Sequence, residues 1–121
     1  MALVMFSCRA TGPFIMFEET AKEVFSVIGE QWKSEGAIPA EDLPAVLAKL
    51  DEAEKRDKKR AAEREKQLRE SELLMNAYED EEREWKKKEE QRVNFYQRIV
   101  PLQNMIRRAI KRDEAIVWGR P

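Results

Sequence analysis

Histidine is absent from this sequence of 121 residues, and cysteine occurs once, as Cys8. The first absence removes the commonest general base and the commonest nitrogen ligand for metals. A single cysteine excludes an intrachain disulfide and a zinc site built from several thiolates. With no histidine to activate it, Cys8 is expected to pack as a small apolar residue. We therefore expect a protein that is not an enzyme and that carries no cofactor.

Long apolar runs are also missing. No stretch approaches the ~18 consecutive apolar residues that a membrane-spanning helix needs. Residues 1–8 are apolar for the most part, but they lack the basic start of a secretory signal peptide and are too short for its apolar core. We therefore expect a cytoplasmic protein that has no membrane partner.

Glycine and proline are absent from residues 51–92, where about two thirds of the side chains are charged. This composition favours helix, but it cannot supply a continuous apolar face to a core. The apolar residues lie on either side, in residues 1–50 and 93–121. We expect one domain over residues 1–121, in which residues 55–92 form a charged, largely solvated helical insertion or linker.

Three short apolar segments have the pattern of β-strands. Residues 3–6 form an unbroken apolar run, which indicates a strand that is covered on both sides or paired on both edges. Residues 10–13 have turn chemistry, so residues 14–17 are expected to complete a hairpin. Residues 116–118 supply a third strand. We place residues 3–6 at the centre of the sheet, which leaves both outer strands with edges that can pair with another chain.

The spacing of apolar residues predicts three helices that cover one face of this sheet. In residues 18–28, the side chains of Ala21, Val24, Phe25 and Ile28 recur at i, i+3, i+4 and i+7. Gly29 follows as the C′ residue of that helix, where a left-handed conformation is common.

The second and third helices are expected at residues 43–54 and 95–112. Asp42 caps the second, and the first turn tolerates Pro44. Asn94 and Gln97 form a capping box for the third, which Pro101 either kinks or shifts to a start near Arg98. The fold class is therefore α+β, with a small three-stranded sheet covered by about three helices and a long charged helical excursion.

A sparse set of apolar residues lies inside the charged segment, and two interpretations of it remain open. One is a solvated helix that makes a local contact with the domain. The other is a seam for helix pairing, although the set falls short of the three or four heptads that a coiled coil needs. The residues are Leu68, Leu73, Leu74, Met75, Tyr78 and Trp85.

Short motifs on both sides of the charged segment carry a family resemblance. They are Met5-Phe6-Ser7-x-x-Ala10-Thr11, Ile15-Met16-Phe17 with Ala21-Lys22, Ile28-Gly29, Gly36-x-Ile38-Pro39-x-x-Asp42-Leu43-Pro44, Gln97-Arg98-x-x-Pro101-Leu102-x-x-Met105 and Val117-Trp118-Gly119. With these motifs the chain resembles the bacterial family known as domain of unknown function 1840. The resemblance implies a cytoplasmic bacterial protein and implies no activity. It also implies that the charged segment varies among members.

A small non-enzymatic protein-interaction module is the function that these observations favour, with another protein or a second copy of the chain as its partner. The reasons are the small core and the free sheet edges. Arg98 is the polar residue singled out on an otherwise apolar helix, with a salt bridge or a solvated head group as its structural role. Trp32 and Trp118 are candidate interface anchors, and core packing is the first expectation for Trp118.

Weak nucleic-acid binding is the alternative, through a basic cluster at the end of the last helix. The cluster consists of Arg107, Arg108, Lys111 and Arg112, and such side chains on a helix can contact phosphates. The same cations also complement the macrodipole at a helix C-terminus, which is a sufficient structural reason for them. The net charge of −1 for the whole chain argues against nucleic acid as the partner.

Overall fold

A β-hairpin opens the chain, and the other elements pack against it or extend from it. The computed structural model describes residues 2–72 and 79–121. In chain order the elements are β1 (Leu3–Cys8), β2 (Thr11–Phe17), α1 (Glu18–Val27), β3 (Gly36–Ile38), α2 (Leu43–Glu72), α3 (Glu79–Arg98), α4 (Val100–Arg112) and β4 (Ile116–Gly119). A short 3-10 turn, Ala40–Asp42, leads directly into α2. The fold class is α+β, as expected.

The strands form one antiparallel sheet in the order β2-β1-β4-β3. Within the hairpin, Leu3 lies opposite Phe17 and Met5 opposite Ile15. The other edge of β1 pairs with β4, where Phe6 lies opposite Trp118. The expectation that the first strand is central between the hairpin partner and the C-terminal strand is confirmed. Of the two interpretations of the apolar run at residues 3–6, pairing on both edges is the correct one.

The expected number of strands is wrong, because the described part of the chain contains four rather than three. Most residues in the range 30–37 are polar or charged, which is typical of a connection, yet Gly36–Ile38 pairs with β4, with Ala37 opposite Val117. Three residues are too few to show the alternation that identifies a strand. The sheet edges are therefore β2 and β3, and β4 is an inner strand instead of an edge.

The first helix has the apolar face that its sequence predicts. Ala21, Val24, Phe25 and Ile28 are all buried. The helix ends in a Schellman motif, in which the Glu30 amide donates to the Phe25 carbonyl at 2.9 Å and Gly29 adopts a φ of +75°. The expected role of Gly29 is confirmed.

The second helix begins at the core and continues into the charged segment. Leu43, Leu50 and Ala53 are buried, whereas Val46 and Leu47 are only partly covered. Beyond Asp57 the described side chains of α2 are exposed or half-exposed. Among the described side chains of α3, Phe95 and Tyr96 are buried. That residues 55–92 are a solvated excursion from a single domain stays a prediction.

The third expected helix is instead two helices, and of its two expected starts the later one, near Arg98, is close to the observed start of α4 at Val100. Asn94 is exposed within α3, which continues to Arg98, so no capping box begins a helix there. The break lies at Ile99, and α4 has Pro101 in its first turn. Proline is tolerated there because the first amides of a helix have no partner within it. Ile99 is fully buried, so the bend between α3 and α4 is anchored in the core.

Most of the sparse apolar set lies outside the described residues. Leu73, Leu74, Met75 and Tyr78 belong to the range that is not described, and the side chain of Trp85 is not described either. Leu68 is half-exposed on α2. The choice between a solvated helix and a pairing seam therefore stays open.

Candidate functional site

The helices cover only one of the two faces of the sheet. Alternate strand residues point toward the helices, and those of the inner face are buried: Val4, Phe6, Cys8, Met16, Ile116 and Trp118. The residues between them must point to the opposite face, because side chains alternate along a strand. That opposite face has no layer of described secondary structure over it.

Large apolar side chains occupy this uncovered face. Leu3 is 42% exposed, Ile15 52%, Phe17 48% and Val117 44%. The register joins them into rows, with Leu3 beside Phe17, Met5 beside Ile15, and Val117 between Ser7 and Ala37. We call this surface the outer sheet face, and it consists of Leu3, Met5, Ser7, Pro13, Ile15, Phe17, Ala37, Val117 and Gly119.

None of the nine residues of the outer sheet face carries a charge, and all of them lie in the described part of the chain. Charged residues stand at its margins. Arg9 follows β1 at one end, Glu18 follows β2 at the other, and the Cβ of Glu35 lies beside Gly119. The face is therefore an apolar surface with charged residues at its border.

A groove of about 360 Å³ lies beside the edge strand β3, between that strand, the end of α1 and the start of α2. Trp118 forms part of its wall, and the indole N–H donates to the Lys33 carbonyl at 2.8 Å. The Lys49 ammonium donates to the Ile28 carbonyl at 3.3 Å, which satisfies the C-terminus of α1. These polar contacts hold the fold together.

A second groove, of about 210 Å³, lies between α2 and α3 beside Tyr96. The Tyr96 hydroxyl donates to Oδ2 of Asp57 at 2.7 Å. Burial raises the pKa of Tyr96, and the hydrogen bond to the Asp57 carboxylate raises that pKa further. The phenol is protonated at neutral pH, and this pair joins α3 to α2.

The side chains of the basic cluster that was predicted to bind nucleic acid contact two different parts of the fold. Nη2 of Arg107 lies 3.6 Å from the Asp51 carboxylate on α2, whereas Arg108 donates to the Thr11 hydroxyl at the start of β2, at 3.5 Å. Lys111 and Arg112 are exposed in the last turn of α4. The structure thus spreads the four cations over two sides of one helix end.

The remaining residues singled out in the sequence lie away from the outer sheet face. Arg98 is exposed at the end of α3. Trp118 is buried against Phe25, with the ring centroids 5.0 Å apart in an edge contact. Trp32 is half-buried and meets the other side of Phe25 at 5.1 Å. Cys8 is buried in the core, where its sulfur accepts a hydrogen bond from the Ala10 amide at 3.4 Å.

The described residues contain neither a membrane-spanning helix nor a cluster of metal ligands. No helix among them has a stretch that is long and apolar enough to cross a membrane. Within residues 2–72 and 79–121, no three potential metal ligands are grouped in a way that could hold an ion.

A family model matches residues 2–118 of the chain. The chain belongs to the family described as Domain of unknown function (DUF1840). The resemblance carried by the motifs on either side of the charged segment is therefore confirmed. Neither the curated proteins nor the solved structures include a match to this DUF1840 chain.

Sequence reasoning did not identify the outer sheet face, although its signal was present. Residues 3–6 and 14–17 are apolar without interruption, so each strand has apolar side chains on both faces. A sheet with helices on one side covers only half of them. An unbroken apolar strand in a domain too short for a second helical layer is the pattern that would have indicated an exposed apolar face.

Proposed function

We propose that this DUF1840 protein is a small non-enzymatic protein-interaction module, and that the outer sheet face is its binding surface. The observation that carries the proposal is the concentration of Leu3, Ile15, Phe17 and Val117 on one uncharged face with no helix over it. Single exposed apolar residues are common on protein surfaces, whereas a contiguous group of them is not.

The size of the face supports the same function. At about 4.8 Å between strands and about 3.3 Å per residue, the four strands cover roughly 300 Å² of the sheet plane. Apolar patches of a few hundred Å² are about the largest that monomeric proteins expose, and they are often binding sites. Covering this face with a partner would remove its apolar side chains from water at about 25 cal/mol for each Å².

Neither groove is assigned a catalytic role in this proposal. The Tyr96 phenol, with its raised pKa, is a poor base at neutral pH, and its hydrogen bond to Asp57 satisfies it. Nucleic-acid binding through α4 stays the untested alternative. The contacts of Arg107 with Asp51 and of Arg108 with Thr11 give two of its four cations a structural role.

Site-specific photocrosslinking in the cells that make the protein tests the proposal. A benzophenone amino acid replaces either Ile15 on the outer sheet face or Val93 on α3, which is similarly exposed at 47%. We expect discrete crosslinked protein adducts from position 15 and none from position 93. The adducts should also disappear when Val117→Lys is added on the same face.

Two results would contradict the proposed binding surface. One is the absence of any adduct from position 15 under irradiation that crosslinks a control protein. The other is the same set of adducts from positions 15 and 93, since that would reflect random collision rather than a binding surface.

A further inference from the structure

We propose that the outer sheet face binds the same face of a second copy of this chain. This inference rests on the proposed function and adds the identity of the partner. In the assembly, two sheets would pack face to face, with the helices of each copy on the outside.

The chemistry of the face defines what can cover it. The backbone amides and carbonyls of β1 and β4 are occupied in the sheet ladders, so the face presents apolar side chains and the hydroxyl of Ser7 as its only polar side-chain group. A partner must therefore be apolar, uncharged and nearly flat, because a buried charge without a counter-ion is costly. The outer sheet face of a second copy has these properties, and stacked sheets pack about 10 Å apart through such side chains.

Self-pairing also agrees with the distribution of side-chain size. A two-fold axis perpendicular to the strands, passing near Met5 and Ile15, reverses the strand direction of the second copy. The end of the hairpin that holds Leu3 and Phe17 then meets the end that holds Ser7 and Pro13. Large side chains would lie against small ones, which is the arrangement that lets two layers interdigitate.

The charges at the two ends of the hairpin fit the same axis. Arg9 lies at one end of the hairpin and Glu18 at the other, so reversal brings opposite charges together at both ends. At the β4 side, Glu35 lies beside Gly119 in the row of Met5, so the same axis brings the two copies of Glu35 together and limits the affinity. Glu18 already contacts Lys22 at 3.5 Å, and exposed pairs are weak, so the charges select orientation more than they add affinity.

The area of the face sets the expected strength of the dimer. The contact covers roughly 300 Å² of sheet plane for each copy. This is a small contact, since stable complexes bury ~800 Å² of accessible surface for each partner. The dimer should therefore be reversible, with dissociation in the micromolar range or weaker. An obligate dimer is not expected, because each chain already has its own buried core, to which both the N-terminal and the C-terminal strands contribute.

Sedimentation equilibrium of the full chain tests the inference, because it measures the molecular mass as a function of protein concentration. Ile15→Lys introduces a charge into the outer sheet face, and Val93→Lys makes the same change at a similarly exposed position on α3. We expect the wild type and Val93→Lys to form dimers with equal affinity. Ile15→Lys should weaken dimerisation by at least about tenfold, equivalent to about 1.4 kcal/mol.

Val117→Lys, on the inner strand β4, is the second variant, and circular dichroism checks that each variant is folded. A wild type that stays monomeric up to millimolar concentration would overturn self-pairing. So would a dimer that both Ile15→Lys and Val117→Lys leave intact. If the chain is monomeric but position 15 still crosslinks a different protein, self-pairing is wrong while the proposed interaction surface stands.

Discussion

Gly36 lies against the indole ring of Trp118. The two residues face each other across the β3–β4 pairing, and a Cβ built on Gly36 would lie 2.8 Å from Cζ2 of Trp118. The ring fills the place that a side chain at position 36 would need. From there it reaches Phe6 at 6.4 Å and Phe25 at 5.0 Å between ring centroids. This contact explains how a three-residue strand is held at the edge of the sheet.

Gly36→Ala is therefore expected to destabilise the fold. The added methyl group must displace the Trp118 ring, which weakens its hydrogen bond to the Lys33 carbonyl and its contact with Phe25. Overpacking of this kind costs about 1–3 kcal/mol, measurable by urea unfolding. Gly12→Ala is the matched control, because a Cβ there meets nothing within 4 Å. Equal stability of the two variants would show that the ring adjusts without cost.

Tyr96→Phe should lower stability in a way that depends on pH. Its hydroxyl bonds to the Asp57 carboxylate at 2.7 Å, so its loss should cost about 1–2 kcal/mol near neutral pH. The folded-state pKa is raised above the ordinary value of 10.0, so the native state holds the proton more tightly than the unfolded chain. This contribution is complete below that value and is lost as the pH rises above it.

The comparison of wild type and Tyr96→Phe by urea unfolding at several pH values measures this effect. The stability difference should shrink above the ordinary tyrosine pKa, by up to about 1.4 kcal/mol for each pH unit. An absorbance titration checks the pKa directly in a Tyr78→Phe background, which leaves Tyr96 as the only tyrosine. A stability difference that stays constant through the alkaline range would contradict this prediction. So would a titration midpoint at the ordinary tyrosine pKa.

Replacing residues 60–90 with a short flexible linker should leave the domain folded. The described side chains of α2 beyond Asp57 are exposed or half-exposed, and the substitution keeps the contact of Asp57 with Tyr96. We expect cooperative unfolding with a stability change of about 1 kcal/mol or less, since loop length affects closure entropy only slowly. Loss of cooperative unfolding would mean that the excursion is part of the core.

The same shortened chain separates the two interpretations of the sparse apolar set. If Leu74, Tyr78 and Trp85 form a pairing seam, removal of the segment should abolish any dimer. If the outer sheet face is the contact surface, the shortened chain should dimerise like the full chain. Light-scattering mass at matched concentrations distinguishes these outcomes.

The elements that the sequence predicts well are those whose signal is local. Ala21, Val24, Phe25 and Ile28 define α1 by their spacing, and Gly29 marks its end, because both features depend only on neighbouring residues. The central position of β1 also follows from its own apolar run. These parts of the fold require no knowledge of distant contacts.

The features that the sequence did not predict depend on partners far along the chain. Strand β3 exists because Gly36 accommodates Trp118, more than eighty residues away. The capping box at Asn94 fails because Phe95 and Tyr96 are buried within α3, and the helix break falls at Ile99, close to the later start near Arg98 that Pro101 indicated. The exposure of Ile15 and Phe17 depends on the number of layers in the fold, so it follows from their apolar strand only when the length of the whole domain is considered as well.

The most direct test of the central claim is the rate at which a thiol at position 15 reacts with a soluble alkylating reagent. Ile15→Cys places that thiol on the outer sheet face, Val93→Cys places one on α3, and the buried Cys8 provides the background in the wild type. We predict that Ile15→Cys becomes protected as protein concentration rises, while Val93→Cys reacts at a constant rate. Equal reactivity of Ile15→Cys at every concentration would contradict pairing through the outer sheet face.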